Sequence, residues 1–202
     1  QIDTAIQMGA TCLVVNVVEA GSEDVAKQIL DKAGEIPVVF FNRSIEAEGN
    51  EGTVLGAYEN CAFVGTDAPE AGHMQGKMIG EYLVANYDAL DLNKDGNISY
   101  AMFMGQLGNA EAIARTQYSV EQAVENGVVM EQVGETQVCN WDTELANSAM
   151  SGWLSKYGDK IEFVISNNDA MAQGAISALQ SAGYNKGDAN NYVPVVGVDA
   201  TD

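Results

Sequence analysis

The chain has 202 residues, 47% of them hydrophobic, and carries a formal net charge of -20. That length and apolar content support a sizeable core in one or two domains, and the negative charge repels phosphate backbones and anionic membranes, which argues against nucleic-acid binding through this region. No apolar run approaches the length that crosses a bilayer, and the amino terminus lacks the basic-then-apolar layout of a signal peptide, so any export signal is expected to have been removed.

Residues 1–8 place Ile2, Ala5 and Ile6 at helical spacing ahead of Gly9 and read as the tail of a helix. The run Cys-Leu-Val-Val-Asn-Val-Val at 12–18 is nearly continuous in apolar and β-branched residues, which predicts a strand covered on both faces, as in a parallel sheet. Ser22 is placed to cap a helix over 22–33, with Val25, Ile29 and Leu30 on one side and Gly34 at its end. A buried strand over 36–41 follows, with Pro37 tolerated near its first residue, and completes a β-α-β unit with short links. Residues 42–60 are polar and glycine-bearing, a loop before a short strand at 62–65. From Thr66 and Asp67 a helix runs to Tyr87, with Met74, Met78, Ile79 and Tyr82 on one face. Beyond a polar loop come a strand at 98–104, a helix at 109–126, a strand at 128–133, a helix at 142–156, a strand at 163–166, a helix at 169–182 and a strand at 193–198. This alternation predicts an α/β fold of parallel sheets flanked by helices. Cys12, Cys61 and Cys139 are widely spaced with no Cys-x-x-Cys pair, which argues against a disulfide framework and a zinc site and leaves Cys12 as a small core residue.

The polar loop Asp-Leu-Asn-Lys-Asp-Gly-Asn-Ile-Ser at 91–99 has the front of a calcium loop. Asp91, Asn93 and Asp95 offer side-chain oxygens at alternate positions, Gly96 makes the sharp turn, Asn97 gives its carbonyl and Ser99 gives an oxygen or a water. The twelfth position, where a bidentate Glu belongs, is Met102, inside an apolar run that reads as a strand. A Ca²⁺ loop closed by a distant Glu or Asp is the first expectation, and a polar turn is the other reading, since Asn, Asp and Gly also build tight turns.

In an open parallel sheet ligands bind beyond the carboxyl ends of the strands. Those ends are rich in planar polar groups: Asn42-Arg43; Asn109, Glu111 and Arg115; Trp141-Asp142; Asn167-Asn168-Asp169; and Asp199. Such groups suit bidentate bonding to neighbouring hydroxyls of a small polyol, and a Trp supplies a flat apolar partner for a sugar ring. Structural roles compete with this reading. Asp142 and Asp169 are placed as helix N-caps, Asn168 is then free for a ligand, and Trp141 could belong to the core. His73, the only histidine, stands on a helix and reads as a surface or half-buried residue. No Gly-x-Ser-x-Gly elbow, Gly-x-x-x-x-Gly-Lys loop or His-Glu-x-x-His pair is present, so no enzyme is read here.

The motifs Pro-Val-Val-Phe-Phe-Asn at 37–42, Val-Gly-Thr-Asp at 64–67, Asp-Leu-Asn-Lys-Asp-Gly-Asn at 91–97, Ala-Arg-Thr at 114–116, Asn-Trp-Asp-Thr at 140–143, Ile-Ser-Asn-Asn-Asp-Ala-Met at 165–171 and Val-Gly-Val-Asp at 196–199 occur in that order. Together they resemble the periplasmic sugar-binding proteins of ABC transporters, and within that family the members that bind galactose or glucose. The resemblance implies a two-lobed periplasmic-binding-protein fold of type I. Residues 1–66 would form part of the amino-terminal lobe, and 67–202 the carboxyl-terminal lobe with the calcium loop 91–99. By position Asn42, Arg115, Trp141, Asn168 and Asp199 match the family's sugar contacts, and Glu162 matches the distant bidentate Ca²⁺ ligand. Asn109 stands where the family has a His and Glu111 where it has an Asp, which bears on the choice of hexose; Ser99 replaces a longer amide. Family members are longer at both ends, so the chain is expected to be truncated. The implied protein is a monomeric, non-enzymatic receptor in the periplasm or outside the cell, with or without a lipid anchor. Its expected partners are a monosaccharide, an ABC permease and a chemotaxis receptor. Three alternatives are the effector-binding core of a repressor of the same fold, an enzyme and a calcium sensor. The charge of -20, the missing catalytic templates and the strand after the loop argue against them in turn.

Overall fold

The structure, a computed structural model, describes residues 1–47, 49–188 and 191–201. The chain divides into two compact units, Gln1–Asp67 with Gly108–Ala110, and Ala68–Leu107 with Glu111–Asp202.

The first unit contains α1 (Ile2–Gln7), β1 (Leu13–Val15), α2 (Glu23–Ala33), β2 (Val38–Phe41) and β3 (Cys61–Val64), with the strands parallel in the order β1-β2-β3. Leu13, Val38 and Phe40 point to one face and pack with Ala26, Leu30 and Ala33 of α2, and Ile2 and Ile6 of α1 lie against the same cluster. The buried Leu13, Leu30, Val38 and Phe40 side chains each contribute about 1.5–3 kcal/mol relative to exposure. The expected cover on both faces is not found, because Val14 is 67% exposed and Val64 63%. The strand predicted over 12–18 is confined to Leu13–Val15. On α2 the buried face is Ala26, Leu30 and Ala33, and Val25 is exposed. Ser22 stands at the N-cap position but its hydroxyl donates to the Glu19 carbonyl at 2.7 Å instead of capping.

The loop over 42–60 is organised by Glu46. Its Oε2 accepts from Gly52 N at 2.8 Å, and its Oε1 accepts from Val54 N at 2.7 Å and Leu55 N at 2.9 Å. Burial pushes this carboxyl up, but the three backbone donors outweigh it and hold it below the usual carboxylate range.

The second unit runs α3 (Ala68–Leu90), β4 (Ile98–Met104), α4 (Ala110–Glu125, whose first residue groups with the other unit), β5 (Met130–Gln132), β6 (Gln137–Val138), α5 (Thr143–Tyr157), β7 (Phe163–Ser166), α6 (Asp169–Ser181) and β8 (Val195–Val196). All pairs are parallel, in the order β5-β4-β7-β8, with β6 also beside β4. The strand expected over 128–133 is found as β5 over Met130–Gln132, and β6, which was not expected, follows on the same edge of β4 after a turn with Gly134 at φ 71°. β4 and β7 are almost wholly buried, as their continuous apolar runs require. One face of the sheet carries α5 and α6 with Phe103, Met150, Trp153 and Leu179, and the other carries α3 and α4 with Ile79, Leu83, Met102 and Phe163.

The predicted face of α3 is corrected. Ile79 is buried, but Met74 and Met78 are exposed, and the inward face is Gly72, Gln75, Gly76, Ile79, Gly80 and Leu83. The glycines admit α4 at close range: a Cβ on Gly76 would lie 2.6 Å from the Ser119 carbonyl.

Candidate functional site

In the second unit the carboxyl ends of the strands carry unusual backbone. After β6, Asn140 and Trp141 take φ of 50° and 67°; after β8, Asp199 and Ala200 take 109° and 52°. Non-glycine residues in this region are strained by roughly 1–3 kcal/mol each, and such outliers cluster where side chains must be aimed.

The turn places Trp141 over Gly105, the residue after β4; a Cβ there would collide with the indole. The Arg115 guanidinium lies 5.8 Å from the Trp141 ring centroid. Arg115 Nη1 donates to the Asn167 carbonyl at 2.8 Å and stands 3.4 Å from Asp199 Oδ1, and Arg115 Nε is buried without a partner among the described residues. These contacts give the early-helix cation on α4 its reason. Burial raises the Asp199 carboxyl above the ordinary Asp value; Arg115 opposes this and Asp169 reinforces it.

Asn167 is fully buried. Its Oδ1 accepts from Gly105 N at 3.0 Å and from Thr116 Oγ1 at 3.2 Å, while Nδ2 has no partner among the described residues. Sequence reasoning placed Asn167 among the strand-end polar groups but assigned it no role; its signal was an Asn directly after a buried strand.

The cap of α6 sits one residue earlier than expected. Asn168, not Asp169, is the N-cap, with Oδ1 accepting from Met171 N at 2.9 Å. Asp169 Oδ2 instead accepts from Thr201 N at 2.8 Å and Thr201 Oγ1 at 3.1 Å. Asp142 caps α5 as expected, accepting from Leu145 N at 2.8 Å. Trp141 is partly buried, packed beside the α5–α6 core cluster. His73 contacts Gln122 at 3.1 Å and stacks on Tyr118.

Of the seven residues matched to sugar contacts or their replacements, Glu111, Arg115, Trp141, Asn168 and Asp199 belong to the second unit, and Asn42 and Asn109 to the first. Glu111 has a buried Oε2 without a protein partner. Asn42 follows β2 at φ 66°, its N–H donating to the Val64 carbonyl at 3.1 Å, and Arg43 beside it donates to the carbonyls of Val17 and Val18.

The loop over 91–99 is held by Glu162, the residue before β7. The carboxylate is almost fully buried and accepts from the N–H groups of Leu92 at 2.8 Å, Asn93 at 3.2 Å and Ser99 at 2.9 Å. Asp91 accepts from Asp95 N and Gly96 N, Asn93 Oδ1 from Asp95 N, and Asp95 Oδ1 from Asn97 N. Each accepting oxygen keeps further lone-pair capacity, and an all-oxygen donor set suits a hard cation. Burial, and then the charges of Asp91, Asp95 and Glu162, push the Tyr87 hydroxyl above its ordinary value, a sign of the negative field around the loop. Among the described residues no three His, Cys, Asp or Glu side chains are grouped as a metal site. The carboxylates of Asp91, Asp95 and Glu162 therefore do not by themselves form a ready cage, and the expected coordination would also need Asn93, Ser99 and the Asn97 carbonyl.

The comparisons agree with this architecture. The periplasmic binding protein domain family matches residues 1–202. A D-galactose/methyl-galactoside binding periplasmic protein of Haemophilus influenzae is 37% identical over 99% of this chain and 56% of its own length. A xylitol-binding protein of Mycolicibacterium smegmatis is 26% identical over 98% of this chain and 48% of its own. The chain thus spans about half the length of these relatives. A solute binding protein from Bacillus halodurans with bound myo-inositol superposes with a TM-score of 0.72 at 27% identity, covering 99% of this chain and 60% of that one. One from Actinobacillus succinogenes with bound D-allose gives 0.74 at 21% identity, covering 98% and 62%, a likeness of fold. Members of the family are substrate-binding proteins and not enzymes. By its full-length family match, its α/β architecture and its relatives, the chain belongs to the periplasmic binding proteins.

Proposed function

We propose that this chain is part of a periplasmic receptor that captures one monosaccharide, galactose or glucose, and delivers it to an ABC permease. One observation carries the reading. Asn42, Trp141 and Asp199, three of the positions matched to sugar contacts, are all non-glycine residues at positive φ just past the carboxyl ends of parallel strands. Strain at these positions serves to aim an amide, an indole and a carboxylate, the groups that bond hydroxyls and stack on a sugar ring. The galactoside-binding name of the Haemophilus relative and the inositol in the solved Bacillus halodurans structure support a small polyol as ligand. The sugar-bound form would be the one that the permease, and a chemotaxis receptor, reads.

The same reading includes Ca²⁺ held by Asp91, Asn93, Asp95, the Asn97 carbonyl, Ser99 and Glu162. The ion would supply stability by linkage and no chemistry.

Tryptophan fluorescence of the full-length protein, titrated with monosaccharides, tests the receptor reading. A saturable change with galactose or glucose that disappears in Trp141→Ala supports it. A folded protein whose emission responds to no monosaccharide overturns it.

A further inference from the structure

Asn167 contributes to the site in a way its neighbour Asn168 does not. Its backbone N–H donates to the Phe103 carbonyl at 3.0 Å, fixing it between β7 and β4. Its backbone carbonyl receives the Arg115 guanidinium at 2.8 Å. Its side-chain Oδ1 receives the Gly105 N–H at 3.0 Å and the Thr116 hydroxyl at 3.2 Å. Gly105 is the surface on which the Trp141 indole rests, so close that no Cβ fits between them. One wholly buried amide therefore anchors what lies under the aromatic and, through its own carbonyl, the cation that faces Asp199.

We propose that Asn167 is the positioning residue of the sugar site, setting Trp141 through Gly105 and Arg115 through its carbonyl, with Thr116 holding its amide in register. The inference rests on the receptor reading for its functional meaning but not for its geometry. Three features separate this role from that of an ordinary buried amide. Oδ1 accepts from two different elements, the turn after β4 and helix α4, so its loss frees both at once. Among the described residues Arg115 Nη1 has, besides this carbonyl, an acceptor at 3.4 Å on Asp199, so its direction depends on where Asn167 stands. Among the described residues the buried Nδ2 has no protein partner, so the amide's protein bonding runs through its acceptor side. Asn167 touches the sugar through none of this; it acts through Arg115 and Gly105.

The test uses the full-length protein labelled with 5-fluorotryptophan and follows two indoles, Trp141 on the site and Trp153 in the core between α5 and the sheet, the latter assigned by its loss in Trp153→Phe. The Trp141 resonance is assigned by its loss in Trp141→Phe. In Asn167→Leu, and in the milder Thr116→Val should the first variant fail to fold, the Trp141 resonance shifts while that of Trp153 stays. Thr116→Ser, which keeps the hydroxyl, restores the wild-type spectrum. Monosaccharide affinity falls about 3- to 10-fold in Thr116→Val, the scale of one lost buried hydrogen bond, and returns in Thr116→Ser. The Thr116→Val and Arg115→Lys effects on affinity are non-additive, because Thr116 and Arg115 both bond Asn167. A Trp141 resonance unmoved in every folded variant, or one that moves only together with Trp153, overturns the proposal. If the wild-type protein binds no monosaccharide, the receptor reading fails while the resonance shifts still decide the positioning role.

Discussion

Glu162 and Ser99 are joined twice: the Glu162 N–H donates to the Ser99 carbonyl at 2.8 Å, and Glu162 Oε2 accepts from the Ser99 N–H at 2.9 Å. The start of β7 is thereby fastened to the start of β4, with the other carboxylate oxygen reaching the amides of Leu92 and Asn93. Under the proposed reading this doubly anchored carboxylate is also the closing ligand of the Ca²⁺ loop. Calcium at 100 times its dissociation constant should then stabilise the full-length protein by about 2.7 kcal/mol. A chelator should lower its melting temperature, and Glu162→Gln should remove that sensitivity along with part of the basal stability. Identical melting curves with calcium and with chelator would contradict the calcium assignment.

Glu46 should behave as a structural carboxylate. Its folded-state value is depressed, so its contribution to stability is present above the unfolded value and is lost as pH falls through the folded one. Glu46→Ala leaves the amides of Gly52, Val54 and Leu55 without their acceptor and should destabilise by about 1–3 kcal/mol. Amide exchange over residues 49–57 is the measurement, with faster exchange expected there.

Asp199 should titrate in the opposite sense. Burial raises its folded-state value above the unfolded one, so the folded protein takes up a proton that the unfolded chain releases, and this group's contribution to stability grows as pH falls through that window. Protonation also weakens its pairing with Arg115 and removes an acceptor for sugar hydroxyls. Sugar affinity should fall with acidification from a higher pH than an ordinary Asp would give, while unfolding midpoints show no matching loss from this group. Comparison of affinity against pH for the wild type and Asp199→Asn checks it, since the variant should lose that limb of the profile.

Gly174 brings α6 against α5. An added Cβ would strike the Thr143 carbonyl and lie 3.0 Å from Asn147 N, and the Asn147 amide donates to the Gly174 carbonyl at 3.1 Å. Gly174→Ala should destabilise by about 1–3 kcal/mol through overpacking, read as a lower urea midpoint with an unchanged slope.

The parallel α/β architecture of the second unit was legible because β4 and β7 are continuous apolar runs whose ends match their sequence limits. The face of α3 was not, because hydropathy marks Met74 and Met78 while the real contact is made by glycines, whose value lies in the close approach they permit. The exposure of Val14 was equally hidden, since an apolar run does not say which neighbours cover it. At the site, residue types identified Arg115, Trp141 and Asp199 as polar or aromatic groups past strand ends. Nothing in the sequence showed that Trp141 rests on Gly105 or that Gly105 N donates to Asn167, because those links join positions 36 and 62 residues apart. The cap of α6 was misplaced by one residue because Asn and Asp cap equally well and stand side by side at 168 and 169.

Isothermal titration calorimetry of the full-length protein, with calcium present, against galactose, glucose, allose, myo-inositol and xylitol tests the central claim most directly. The account predicts saturable one-site binding of galactose or glucose, and at least a tenfold loss in Arg115→Ala, since removing one hydrogen-bonding charge from a desolvated site costs about 1.5–3 kcal/mol. Absence of heat with galactose and glucose in a folded, calcium-loaded protein, or full affinity retained without the Arg115 guanidinium, would contradict it.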